Sequence, residues 1–237
     1  MAKLALNIES LAALRETAGL AEADPVQAAF LAELGGIDAL ICPVNEEFRP
    51  VTERDLRLLR TLTKVRFDLH LPASEKPVAA ALVLRPDGIV LLPRDKERAT
   101  PDGGLDVAGS ENELGRIFEE WRGQNATVGC FVDPVLQQVK AAAGLGADGV
   151  ELNARVYTAA RTPQEREEAL DRLSTAALAA NKLDLTVSMG GGITYATAPV
   201  LARLDRVDEI VAGRSVVARA LLIGLEQAVR DMTALVR

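Results

Sequence analysis

At 237 residues the chain has room for one barrel-sized domain or two small ones, and for a large buried core. Hydrophobic residues at 49% and charged residues at 26% exclude a disordered chain. A net charge of −7 without a basic run excludes a nucleic-acid surface, so any anionic ligand must be met by local chemistry.

No run approaches the roughly 20 apolar residues of a membrane span, and the apolar stretch in MAKLALNIES is too short for a secretory signal. The two cysteines, Cys42 and Cys130, sit inside apolar runs and read as packing residues of a reducing compartment. A cytoplasmic protein with neither nucleic-acid nor membrane partners is expected.

Short apolar runs alternate with longer amphipathic stretches along the whole chain. Strands are predicted at Leu4–Ile8, Ala39–Cys42, Phe67–Leu71, Gly88–Leu92, Thr127–Phe131, Gly149–Asn153, Asp184–Met189 and Glu209–Ala212, each followed by a helical pattern. Eight such units predict an α/β fold, a (β/α)8 TIM barrel forming one domain over residues 1–237. A doubly wound sheet competes, but it would carry a Gly-rich first turn, and the turn after the first run reads Asn7-Ile8-Glu9-Ser10.

Asp24-Pro25 and Asp133-Pro134 each place an N-cap acceptor before a proline, predicting helix starts, and Thr52 with Asp55 resembles a capping box. A weak repeat, Leu34–Asp38, Leu84–Asp87, Leu145–Asp148 and Leu204–Asp208, puts a turn and an Asp before alternate strands. Pro93–Gly104, rich in charge, Pro and Gly, reads as a loop on the active face, and Thr100 within it is a candidate ligand contact.

Strand parity then assigns side chains to the two faces. If Leu6 and Ile8 pack under helices, Asn7 and Glu9 turn inward; likewise Asp68 and His70, Phe131 and Asp133, and Glu151 and Asn153 share the inward parity. Such groups must pair with one another, with water or with a ligand, because an unpaired buried carboxylate is costly. His70, the one histidine, ends the third strand near inward acids and is a candidate for proton transfer near neutral pH. After strand seven, Gly190, Gly191 and Gly192 allow backbone amides to approach an anion; after strand eight, Gly213 and Arg214 add a helix start and a cation. Barrels of this kind often seat a phosphate between those two loops.

The order of these motifs resembles the pyridoxine 5′-phosphate synthase family over essentially the full length. The matching stretches are Asn7-Ile8 with Leu14-Arg15, Asp24-Pro25, Glu53–Asp55, Arg85–Asp87, Gly103–Val107, Phe131–Pro134, Gly146–Asp148 with Glu151-Leu152, and Val217–Leu221. The resemblance implies a barrel with extra helices that assembles into a homo-oligomer. It also implies condensation of 1-deoxy-D-xylulose 5-phosphate with 3-amino-2-oxopropyl phosphate, without metal or organic cofactor.

Departures fall on that family's chemical residues. Its opening Asn-x-Asp-His appears as Asn7-Ile8-Glu9-Ser10, and its His-x-Arg loop with a later His appears as Pro43-Val44-Asn45 with Pro50, leaving Arg49 as the nearest cation. His70 stands where the family has a Glu, Gly191 and Arg214 where it has His, and Ala18 where it has Arg, while Glu151 matches a family catalytic acid. The sequence therefore predicts a rearranged acid–base set of Glu9, His70 and Glu151. Asn7, Arg49, Thr100, Gly190, Gly191, Gly192, Gly213 and Arg214 would hold a phosphorylated small molecule, with synthase turnover slow or absent. Two alternatives remain: a non-catalytic binder or sensor of a phosphorylated metabolite, and a metal-assisted barrel enzyme with Glu9, Asp68, His70 and Glu151 around a hard cation.

Overall fold

A computed structural model describes residues 1–19, 21–94 and 103–237. Eight parallel strands close into a barrel in chain order: β1 (Lys3–Asn7), β2 (Ala39–Pro43), β3 (Arg66–Pro72), β4 (Gly88–Leu92), β5 (Thr127–Val132), β6 (Gly149–Asn153), β7 (Thr186–Gly190) and β8 (Glu209–Ala212). Pairing of β1 with β8, from Lys3 opposite Glu209 to Leu6 opposite Ala212, completes the ring. The described helices are α1 (Glu9–Ala18), α2 (Pro25–Gly35), α3 (Glu53–Leu62), α4 (Glu75–Leu84), α5 (Glu111–Trp121), α6 (Leu136–Gly144), α7 (Arg155–Thr158), α8 (Pro163–Asn181), α9 (Ala198–Leu201), α10 (Arg214–Ile223) and α11 (Leu225–Val236). These exceed one per strand, so the barrel carries extra helices.

The expected strands are present with small shifts. The first ends at Asn7 because Ile8 already caps α1, and the seventh starts at Thr186 because Asp184 sits in a turn with φ of 60°. Asp24 caps α2, its carboxylate accepting from the Val26 amide, and Thr52 with Asp55 forms a reciprocal capping box at α3. The expected cap at Asp133 is not made. Helix α6 starts at Leu136 behind Val135, because the Asp133 carboxylate instead accepts from Asn153 Nδ2 at 2.7 Å and from the Gly104 amide at 3.1 Å.

The repeated Asp residues act as latches. Each precedes an even strand and accepts an amide proton from the odd strand before it: Asp38 from Leu4 (2.9 Å), Asp87 from Phe67, Asp148 from Val128 and Asp208 from Val187 (each 2.8 Å). The weak sequence repeat is therefore the trace of a quarter-barrel β–α–β unit, closed at the end of the barrel away from the loops that follow the strands.

Leu4, Leu6, Leu40, Cys42, Leu69, Leu71, Val150 and Leu152 are buried between sheet and helices. Inside the ring a small cluster of Ala5, Ala39, Ile41 and Val211 fills the β1, β2 and β8 side. Buried polar side chains enter the ring from β3, β6 and β8, namely Asp68, His70, Glu151, Asn153 and Glu209. Both cysteines are free and buried, and burial pushes the Cys130 thiol up to about 12, as expected of a packing residue. Arg15 on α1 grips the fully buried Asp55 on α3 with two bonds of 2.9 and 2.6 Å and also donates to the Pro50 carbonyl. Burial works to raise the Asp55 carboxyl, but the bonds from Arg15 and Thr52 hold it down at about 2.

Candidate functional site

A cavity of about 350 Å³ opens at the C-terminal ends of the strands, within the size range of pockets for a small molecule. Asn7, Glu9, His70, Glu151, Gly191, Gly192, Gly213 and Arg214 all line it, so most of the residues singled out in the sequence meet in one place. Leu92, Phe131, Val211 and Ala212 supply an apolar wall.

Its deepest polar feature is the contact between His70 Nε2 and Glu151 Oε2, 3.0 Å apart with both side chains 4% exposed. The approach is poorly aligned for a hydrogen bond, and neither atom meets another polar partner among the described residues. Close approach of opposite charges governs the electrostatics even where bond geometry is poor. Burial works to lower the His70 imidazolium, but the carboxylates of Glu151, Asp68 and Glu9 outweigh it and the group sits above its ordinary range. Glu9 opens α1 beside this pair, its amide donating to Asn7 Oδ1 at 2.9 Å.

The glycines after β7 divide into two roles. Gly191 and Gly192 line the cavity with φ of 100° and 71°, a backbone region that disfavours side chains. Gly190 does not line it; a Cβ there would lie 1.9 Å from Glu151 Oε1, so this glycine makes room for the acid. The loop is held by Thr158 Oγ1 donating to the Gly191 carbonyl (3.0 Å), Ser215 Oγ to that of Ile193 (2.7 Å), and the Tyr195 hydroxyl to that of Ala228 (2.6 Å). Opposite it, α10 starts on Gly213, which has no side chain to cap the first amides, and Gly213, Arg214 and Ser215 all face the cavity.

One expected contact lies elsewhere, and another falls outside the described residues. Arg49 is 70% exposed, pairs with Glu16 at 3.5 Å and does not line the cavity; Thr100 lies outside the described residues. The loop carrying Arg49 is tied on itself: Asn45 Oδ1 accepts from the amides of Glu47 and Arg49, and Asn45 Nδ2 donates to the Arg49 carbonyl. The metal-assisted alternative loses its ligand set, because Asp68 is held by Arg66 at 2.7 Å on the barrel floor. Among the described residues no group of three or more His, Cys, Asp or Glu is placed to hold an ion. Sequence reasoning missed that floor: Arg66 has the inward parity of Asp68 and His70, and reaches both oxygens of Glu209 at 2.7 Å.

Fold and cavity together define a TIM barrel with a pocket of mixed polar and apolar lining at the C-terminal face. Solved structures of the same fold include KGPDC from Streptococcus mutans (TM-score 0.65, 13% identity, covering 100% of this chain and 97% of that one) and thiamine phosphate pyrophosphorylase from Pyrococcus furiosus (TM-score 0.64, 19% identity, covering 99% and 95%). Within that class the chain belongs to the PdxJ family: the family model described as "Pyridoxal phosphate biosynthesis protein PdxJ" matches residues 4–237. Relatives named pyridoxine 5′-phosphate synthase include those of a Synechococcus species, 39% identical over 98% of this chain and 97% of theirs, and of Syntrophotalea carbinolica, 37% identical over 100% and 99%. The resemblance read from the motifs is thus correct at the level of family.

Proposed function

We propose that this chain binds one phosphorylated small molecule, with its phosphate between Gly191–Gly192 and the amino end of α10, and performs the family's condensation slowly or not at all. Uncapped amides and the partial positive charge of a helix start favour an anion there, and Arg214 adds a charge-assisted contact. The carrying observation is a contrast between the loops that follow the strands. The loops after β7 and β8 are open to the cavity and pinned from outside, whereas Asn45 in the loop after β2 spends its polar atoms on its own backbone and Arg49 turns to Glu16.

Glu9, His70 and Glu151 form the acid–base set of this reading, and no metal or organic cofactor takes part. The exposed Phe30 and Leu34 on α2 and Leu221 and Leu222 on α10 support a homo-oligomer. No described helix is long and apolar enough to cross a membrane, which fits the cytoplasmic location we assign. The test is a steady-state assay with 1-deoxy-D-xylulose 5-phosphate and 3-amino-2-oxopropyl phosphate beside calorimetric titration with pyridoxine 5′-phosphate. Binding without appreciable turnover is the expected outcome; turnover matching other family members would overturn the proposal, and complementation of a pyridoxine auxotroph separates enzyme from sensor.

A further inference from the structure

We propose that Thr158, on the short helix α7, is a positioning residue that turns the Gly191 and Gly192 amides into the cavity and so sets its preference for a phosphorylated ligand. The inference rests on the reading of those two amides as the phosphate cradle.

A trans peptide is planar, and its carbonyl oxygen points opposite to the N–H of the next residue. Holding the carbonyl from one side therefore aims that N–H to the other. The Gly190 carbonyl accepts from the Ala154 amide at 2.7 Å, and the Gly191 carbonyl accepts from Thr158 Oγ1 at 3.0 Å. Both peptides are trans, and both donors belong to the turn that follows β6, so the two ties come from the same side. Gly191 and Gly192 line the cavity, whereas Ala154 and Thr158 do not. The Gly191 and Gly192 amides are thus turned from α7 toward the cavity, and among the described residues neither donates to another group of the protein.

The shelf formed by α7 is fixed from behind. Asn153 Oδ1 accepts from the Arg155 amide at 3.1 Å and Asn153 Nδ2 donates to Asp133 Oδ1 at 2.7 Å, while Val156 and Tyr157 pack against the core. It also lies close: a Cβ at Gly191 would stand 2.9 Å from Asn153 Oδ1, and one at Gly192 2.8 Å from Thr158 Oγ1. Glycine lets the backbone reach the shelf, but glycine on both sides of the 191–192 peptide also lets that peptide turn over. Turned over, it would present a carbonyl oxygen to the anion in place of an N–H. Among the described residues Thr158 is the one side chain that bonds either carbonyl, since the tie from Ala154 is backbone. Ser215 Oγ on the Ile193 carbonyl and the Tyr195 hydroxyl on that of Ala228 hold the far end of the loop and leave these two peptides untouched.

The test pairs Thr158→Val, which keeps the branched shape and removes the donor, with Thr158→Ser, which keeps the donor. Calorimetric titration compares pyridoxine 5′-phosphate with pyridoxine. Thr158→Val is expected to weaken binding of the phosphorylated compound by about fivefold, roughly the worth of one hydrogen bond, and of the other by less than about twofold; Thr158→Ser should restore the parent's preference. With nitrogen-labelled glycine, inorganic phosphate should move the Gly191 and Gly192 amide resonances in the parent and in Thr158→Ser, and move them less in Thr158→Val. Tyr195→Phe removes an anchor at the far end of the same loop and should leave the preference in place. A merely structural role would lower the melting temperature and weaken both compounds alike. An unchanged preference in Thr158→Val, or equal losses of preference in Thr158→Val and Tyr195→Phe, overturns the role of Thr158 alone. An intact protein with no preference for the phosphorylated compound and no phosphate-induced shift of the two amides overturns the cradle, and this inference with it.

Discussion

Gly190→Ala is the sharpest probe of the site, because the residue touches the acid–base pair and not the cavity. The added Cβ would stand 1.9 Å from Glu151 Oε1, 2.9 Å from Cδ and 3.5 Å from Cγ. On a surface the carboxylate would swing away at little cost. Here Glu151 is 4% exposed and already meets His70 at 3.0 Å, so relief means either pulling the acid off the imidazole or distorting the end of β7. Overpacking costs about 1–3 kcal/mol, and separating a buried ion pair about 3–5 kcal/mol. The two routes are alternatives, so about 3 kcal/mol is the fair expectation. At about 2–4 °C per kcal/mol for a domain of this size, the melting temperature should fall by about 6–12 °C. Differential scanning calorimetry measures the fall, and the imidazole Cε1–H resonance of His70, the one histidine in the chain, should move with it. Adding Glu151→Asp, which withdraws the carboxylate by one methylene, should recover part of the loss. Melting of Gly190→Ala within about 2 °C of the parent, with His70 unmoved, would refute the argument that this glycine exists to admit the acid.

Gly191→Leu forces a side chain onto a φ of 100° and against Asn153 and Arg155, and should weaken binding of pyridoxine 5′-phosphate far more than of pyridoxine in paired titrations; equal losses would remove the phosphate cradle. Asp55→Asn leaves the half-buried Arg15 without its carboxylate and should cost about 3–5 kcal/mol in denaturant unfolding. The Asp55 carboxyl sits at about 2 in the fold and near 4 in the unfolded chain, so its stabilisation of roughly 2 kcal/mol is complete above about pH 4 and is lost as pH falls toward 2. That acid limb should flatten in the variant. His70 has the opposite sign: its folded value is raised, so its contribution is present below about pH 6.5 and is lost as pH rises through the folded value, and His70→Gln should remove this alkaline decline from a stability–pH profile.

Parity carried most of the site from the sequence, because a strand alternates faces with a period of two and the apolar partners Leu6, Leu69 and Leu152 fix which face is which. That put Asn7, His70 and Glu151 on the inward face of the predicted barrel, whose closure then brings them together. What the sequence could not resolve depends on partners far along the chain. Among three adjacent glycines, only the location of Glu151 separates Gly190 from Gly191 and Gly192. The cap expected at Asp133 was lost to Asn153 and Gly104, and a local motif says nothing of such competitors. Arg66 and Glu209 meet across 143 residues, and only barrel closure brings them together. The repeated Asp residues were visible as turn chemistry, but their role as latches needs the odd strand's free amide as well.

Joining two phosphorylated molecules demands that both be held in register, and positioning of that kind can be worth about 7–11 kcal/mol. Proton-transfer groups contribute less, typically about 10²–10⁴-fold in rate each, and only once the reacting atoms are in place. On the reading proposed above, the two requirements come apart in this chain. His70 and Glu151 lie buried 3.0 Å apart, and Glu9 lines the same cavity. One end of the cavity offers a helix start, two positive-φ glycines and Arg214. Outside the cavity lining, Asn45 closes the loop after β2 on its own backbone and Arg49 pairs with Glu16. On that reading, a buried His70–Glu151 pair beneath one anion cradle suits chemistry or recognition directed at one molecule better than a condensation of two.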